Sequence, residues 1–547
     1  MKKIMLAALM IASAVSVNAG GLLTNTNQSI KFLRNPARDA VIDIDGVYSN
    51  PAGVVFMPEG FHLGFNWQMA VQTREVITTN PNYKLGVNNT STSKEYKGKA
   101  FVPFLPSVQA AYNKGNWSYQ FNFAVHGGGG RCEFADGLGS FENAVANIAN
   151  SLSGLTGQIN GGFNFLGQQL GAVGVQGIQN ISPVTGYSFD QYMEGKQYYF
   201  GFTLGAAYKV NNNLSLYGGL RFLYGTATYK AKLENIKVRN AAGNLQGLNE
   251  YFGNVAGVVG NNGAVISNKI SETVGAIMQG YGVSEQQAVQ MAMTDPSFSA
   301  LVSAGQQVQG IADGLTEKAG LLEQYADGVN LQSDQSAFGV APIIGLDYKT
   351  DKFNFAIKYE FKVCMQMKNT STVDKVSAID AVNKFKDGTS VHEDSPSMLS
   401  VGAQWNVLPQ ARLNLGYHHF FDKNSKKYND EQKLLDGDTN EFLGGVEYDV
   451  NKKLTASAGL QITRYGLSDK FMNDMSFVVN SWSYGLGVCY KVSDKVAVDV
   501  AYFKTKYSHY ERTTPANPEA VPAATPETKD DFWRTNRVFG AGVTINF

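Results

Sequence analysis

Tyr198-Tyr199-Phe200-Gly201-Phe202-Thr203-Leu204-Gly205-Ala206-Ala207-Tyr208 is followed, across Asn211-Asn212-Asn213, by Leu214-Ser215-Leu216-Tyr217-Gly218-Gly219-Leu220-Arg221-Phe222-Leu223-Tyr224. In the first run every second residue is apolar, and Gly201, Thr203, Gly205 and Ala207 lie between. Alternate side chains of a strand point to opposite faces, so this is a strand with one apolar face. The return run keeps the pattern: Leu214, Leu216, Leu220, Phe222 and Tyr224 are on one side, with Ser215, Gly219 and Arg221 opposite. A two-faced hairpin with strands of about ten residues is the repeating unit of a tilted, membrane-crossing β-barrel.

The unit recurs. Val108–Tyr112 pairs with Trp117–Val125, Phe338–Tyr348 with Phe353–Phe361, and Leu399–Trp405 with Leu413–Phe421. Phe442–Tyr448 pairs with Leu454–Ile462, and Trp482–Tyr490 with Val496–Tyr502. An aromatic (Tyr112, Tyr208, Tyr348, Trp405, Tyr448, Tyr490) stands before each short turn, as in an interfacial girdle. A first strand near Phe61–Val71 and a last near Arg537–Phe547 bring the expectation to about fourteen antiparallel strands, an all-β barrel. Six connections read as tight turns and seven as longer loops, which places both chain ends on the periplasmic side.

Composition agrees. The 547 residues include 32 Phe and 27 Tyr, yet mean hydropathy is −0.19, as strands with one apolar and one polar face average out. Zero net charge argues against a general nucleic-acid-binding surface. Residues Met1–Ala19 read as a secretory signal peptide: Lys2 and Lys3, an apolar run from Ile4 to Val17, and a small-residue cleavage site ending at Ala19. Cys132, Cys364 and Cys489 are too few and too scattered for a disulfide framework. Adjacent His418 and His419 fall on opposite faces of a strand, His418 toward the lumen, so they are not a ligand pair.

Between leader and first strand, Asn35-Pro36-Ala37 and Asn50-Pro51-Ala52 make a compact turn element rather than a strand. Residues 20–59 are expected to form a hatch, and 60–547 the barrel, with loop insertions at about 131–195 and 240–335. Asp39-Ala40, Ser49-Asn50-Pro51-Ala52-Gly53 and Pro58-Glu59-Gly60 together resemble the outer-membrane long-chain fatty-acid transporter (FadL/TodX-like) family. The resemblance implies a barrel of the Gram-negative outer membrane, occluded by a hatch that contains Asn50, Pro51, Ala52 and Gly53. It also implies passive, diffusive uptake of hydrophobic molecules such as long-chain fatty acids, and a glycine-marked kink in the third strand that opens the wall. Gly127, Gly128, Gly129 and Gly130 are either that portal or a flexible start to the next loop.

The second insertion carries helix patterns. Ser284-Glu285-Gln286-Gln287 reads as a capping box, and Leu301, Val308, Leu315 and Leu322 as one stripe. Ile270, Val274, Ile277, Met278 and Tyr281 form another. Such helices either bury their stripes on each other or leave an apolar groove at the mouth. Thr513–Thr528, with four prolines, reads as a solvated loop.

No hydrolase elbow, phosphate loop or metal-binding motif is present, and the chain is read as a non-enzyme without cofactor or metal. Lumen charges at Arg221, Lys358, Glu360, Arg412, Glu447 and Asp499 either solvate a polar interior or, at Arg221 or Arg412, hold a ligand's head group. Expected partners are a hydrophobic small molecule, outer-membrane lipid and the barrel assembly machinery, with no nucleic acid, the protein being monomeric. The alternative function is a surface-exposed structural or adhesive barrel whose helical loops bind a partner.

Overall fold

The computed structural model describes residues 22, 24–87, 89–326, 328–374, 384–521 and 523–547; the leader expectation lies outside these. Its strands, in chain order, begin with β1 (Gly60–Thr79), β2 (Ser93–Lys114), β3 (Trp117–Phe134), β4 (Val184–Lys209) and β5 (Leu214–Asn240). Next come β6 (Val329–Lys349), β7 (Phe353–Glu360, resumed at Gln366–Asp374), β8 (Ser390–His392, resumed at Met398–Leu408) and β9 (Ala411–Phe420). The barrel ends with β10 (Thr439–Asp449), β11 (Leu454–Arg464), β12 (Ser481–Lys491), β13 (Val496–Tyr507, resumed at Tyr510–Thr514) and β14 (Thr528–Asn546). Each strand pairs antiparallel with its sequence neighbour. β1 pairs with β14 from His62↔Asn546 to Thr79↔Lys529, which closes a barrel of fourteen strands.

The alternation read from the sequence has its cause in this closure. Phe202 is 40% and Leu204 53% exposed on the outer surface, while Thr203 between them is 3% exposed inside. The six girdle aromatics are all exposed. An apolar outer face with every backbone group in a closed ladder is the solution open to strands in lipid, and the chain is a multi-pass outer-membrane barrel. Among the described residues no helix is long and apolar enough to cross a membrane.

β4 and β5 run 26 and 27 residues, far beyond the 9–11 or so that a bilayer requires. They stand well above the membrane, so the two insertions are shorter than expected: 135–183 and 241–328. The segment before β1 carries the short helices α1 (Ile30–Arg34) and α2 (Gly46–Ser49), and the first insertion holds α3 (Gly139–Gly171), which the sequence reading did not identify. Its buried face, Phe141, Val145, Ile148, Leu152, Ile159, Phe163, Leu166 and Leu170, packs on Tyr83, Tyr96, Phe134 and Tyr187 over the barrel mouth. The second holds α4 (Leu248–Tyr281), α5 (Glu285–Ala292, opened by the Ser284/Gln287 capping box) and α6 (Pro296–Ala326). The proline-rich stretch is closed by reciprocal backbone bonds between Asn517 and Thr525, at 2.8 and 2.9 Å.

Candidate functional site: the hatch and the wall beside it

Residues 24–57 fold inside the barrel and are almost wholly buried. Ser29 caps α1 (Ile30–Arg34), its Oγ accepting the Phe32 N–H at 3.1 Å. Each Asn-Pro-Ala triplet turns the chain by one device: Asn35 Oδ1 accepts the Ala37 N–H at 3.2 Å, and Asn50 Oδ1 the Gly53 N–H at 3.2 Å. The second triplet is also read by the wall. Asn50 Nδ2 donates to Asp347 at 2.6 Å, Gln120 donates to the Pro51 carbonyl at 2.8 Å, and Ser215 to the Ala52 carbonyl at 2.6 Å. Three different strands thereby hold three consecutive hatch residues.

Charge holds the rest. Arg34 meets Glu447 and Asp499, both at 3.1 Å, and Arg38 meets Asp45 at 2.8 Å and Glu447 at 3.0 Å. Lys31 lies 2.7 Å from Asp43. Burial would lower the Lys31 pKa, but the carboxylates of Asp43 and Asp499 outweigh it and hold the value above that of an ordinary lysine. On the wall, His418 bridges Asp39 of the hatch and Glu441 of β10, at 2.9 Å to each. Of the lumen charges found in the sequence, Glu447 and Asp499 are therefore ion-pair partners of the hatch.

Arg221 pairs with Glu360, and Lys358 meets the same carboxylate at 2.7 Å. Both cations lie over the ring of Tyr48, at 5.3 and 4.3 Å. Arg412 makes a bidentate pair with Asp449 at 2.7 and 2.8 Å. Each guanidinium already has an internal carboxylate, and a ligand head group at either would compete with it. His419 faces away from the lumen beside Asn440 and Asp438. All three cysteines are free thiols, with Cys132 and Cys489 buried and Cys364 exposed.

The wall breaks at the glycine run. β2 and β3 pair up to Ser107↔Ala124 and again from Ala100↔Cys132, and between them Phe101–Pro106 faces Val125–Arg131 with no ladder pairing. Pro103 and Pro106 lack N–H groups, and Gly128 has φ +67°, a conformation that excludes most side chains. The opposite side of β3 stays paired with β4 through two register shifts, at Val125/Gly127 and Gly128/Gly130. The freed groups meet the hatch. Asn25 N–H donates to the His126 carbonyl at 2.7 Å, its side-chain amide to Gly128 O at 2.9 Å, and Thr24 bridges Gly127. Gln28 adds a contact to His126 Nδ1 at 3.1 Å. Asn25, Gln28, His126 and Asp347 were not identified from sequence; each is an ordinary polar residue whose partner lies far off in the chain.

At the outer end α4 and α6 flank a groove of about 870 Å³. Phe252, Val259, Gly263, Ile266, Gly305, Val308 and Ala312 are among its lining residues. Val308, Leu315 and Leu322 are buried at the helix contact, so the helices bury their stripes on one another and leave a groove as well.

No protein-family model matches the sequence, and no curated protein matches it. Among solved structures the chain is similar to a FadL homologue of Pseudomonas aeruginosa, with 11% identity and a TM-score of 0.55 over 96% of this chain and 100% of that one. It also matches the toluene transporter TodX of Pseudomonas putida (11% identity, 98% and 100% covered, TM-score 0.47). A third match is the toluene transporter TbuX of Ralstonia pickettii (13% identity, 92% and 94% covered, TM-score 0.41). With the closed fourteen-stranded barrel, the first of these gives the chain a FadL-like fold.

Proposed function

We propose that the protein is a passive outer-membrane channel for hydrophobic small molecules, long-chain fatty acids or compounds of similar apolarity. The observation that carries this reading is the break in the β2–β3 ladder, stopped from the inside by Asn25 of the hatch. Unpaired backbone at membrane depth is tolerated where it lines a cavity or is covered by protein, and here the cover is a separate segment able to move. On this reading a ligand collects in the groove between α4 and α6, passes the mouth, and leaves sideways between β2 and β3 when Asn25 withdraws. The side route spares each methylene about 0.8 kcal/mol of exposure to the water below. Ligand binding along the route relies on apolar contact, because Arg221 and Arg412 are already paired.

The test is a reversible lock. Thr24 and Gly127 are bridge partners, so a disulfide between Thr24→Cys and Gly127→Cys fastens the hatch over the gap. Uptake of a fluorescent fatty acid into proteoliposomes should fall severalfold on oxidation and recover with reductant, while ligand binding persists. Undiminished uptake in the locked form would remove the side route. Neither binding nor uptake in any form would favour the adhesive reading of the helical loops.

A further inference from the structure

The barrel has a second break of the same construction. The β6–β7 ladder runs to Ile343↔Glu360 and resumes at Ser336↔Lys368, so that Ala337–Pro342 faces Phe361–Met367. That is six residues against seven, the same count as Phe101–Pro106 against Val125–Arg131 at the first gap. An extra residue in one strand is a β-bulge, and a single bulge ordinarily disturbs one or two pairs. Here, among the described residues, one backbone hydrogen bond joins Phe338–Pro342 to Phe361–Met365: Phe361 N–H to Pro342 O, at 3.1 Å. β6 meanwhile stays fully paired with β5 across the stretch, and β7 with β8 through a Val363↔Ser395 bridge.

The chemistry of the two gaps also matches. Pro342 stands in one as Pro103 and Pro106 stand in the other, and Gly339 corresponds to the glycine run. Phenylalanines flank both on the outside, Phe338 (62% exposed) and Phe361 here, Phe101 (59%) and Phe104 there. The inner stoppers differ. The first gap is stopped by the hatch; the second by Val363 and Met365, both buried, which lie where a Cβ on Gly339 would come within 2.5 and 2.8 Å of them. An unbranched thioether rotates aside at low cost.

We propose that the β6–β7 seam is a second lateral opening, through which a hydrophobic ligand passes between lumen and outer leaflet past Met365, independently of the hatch. This rests on the reading above that the lumen carries hydrophobic molecules. Cys364, in the middle of the seam, is the one exposed cysteine among the described residues, so a bulky pyrene maleimide marks this place. In proteoliposomes of the full chain with the hatch locked by the Thr24→Cys/Gly127→Cys disulfide, residual uptake should fall at least threefold on labelling. Cys364→Ser should abolish that effect. Amide exchange gives a reading free of transport: the Val340 N–H should exchange at least tenfold faster than that of Phe222, its partner in β5. Equal exchange at the two amides, failure of Cys364 to react, or residual uptake that is present and unchanged after labelling would each overturn the seam. Fast exchange at Val340 with no uptake in any form would instead overturn the transport reading and leave the seam standing.

Discussion

His418 has a carboxylate oxygen 2.9 Å from each ring nitrogen, Asp39 on one side and Glu441 on the other. A neutral imidazole donates through one nitrogen only, so with both carboxylates ionised this geometry requires the imidazolium. His418→Gln should loosen the hatch by roughly 3–5 kcal/mol, the scale of removing one partner from a buried pair, read as faster proteolysis of the hatch in a folded barrel. The outer face obeys a different rule: Leu204→Arg should cost about 2–4 kcal/mol of barrel stability in denaturant titration, since a charge there meets lipid. At the outer rim Asp422 is buried between β9 and β10, and burial pushes its pKa up to about 6. A carboxyl raised above its unfolded value of 3.8 binds more protons when folded, so the loop from Phe421 to Asp438 should tighten as pH falls through 6. Amide exchange of that loop at pH 5 and pH 7 checks it, with Asp422→Asn expected to remove the dependence. Which face each residue takes was legible in the alternation around Phe202 and Thr203. That Thr203 accepts from Arg221 at 3.1 Å, and that His418 answers Asp39 across 379 positions, was not, because no local pattern encodes such a partner.

At the scale of elements, the hairpins were legible because each carries its own turn and girdle aromatic. α3 was overlooked although its apolar residues recur at three and four; Gly154, Gly157, Gly161 and Gly162 interrupt its middle and lower helix propensity. The strand lengths were misjudged for a physical reason as well: above the membrane β4 and β5 pack on α3 and α4, so outward positions turn polar or half-buried and the alternation fades. The glycine run lies where the β2–β3 ladder is interrupted, a place the sequence left open between a portal and a flexible loop start. The extra residue of β7 between Glu360 and Lys368 gave no signal, since one extra residue alters neither composition nor spacing over a short window. The α4–α6 pair can be tested as an element: Ala312→Phe fills part of the groove of about 870 Å³. Capture of a hydrophobic probe at low concentration should weaken severalfold, with helix content by circular dichroism unchanged.

At the scale of the molecule, barrel and hatch answer to different forces, and this yields an asymmetry. The β1–β14 ladder closes without any hatch residue, so the wall is expected to form without the plug. The hatch needs the wall: Arg38, fully buried, neutralises Asp45 and Glu447, and Arg34 neutralises Glu447 and Asp499. Arg38→Gln leaves these carboxylates buried and under-compensated in a site that stays dry, at a cost of roughly 3–5 kcal/mol. Deleting residues 22–57 removes the cations too, yet it opens the lumen to water, where Glu447 and Asp499 regain their hydration and repel only weakly through a high dielectric. The larger change should therefore be the gentler one for the barrel. In gel migration with and without heating, the deletion should keep the folded, compact form while small-solute conductance in planar bilayers rises severalfold. Arg38→Gln should raise conductance less and lower the midpoint of thermal unfolding more. A deletion that fails to yield the heat-modifiable form would mean that the hatch is part of the folding core and not a separable stopper.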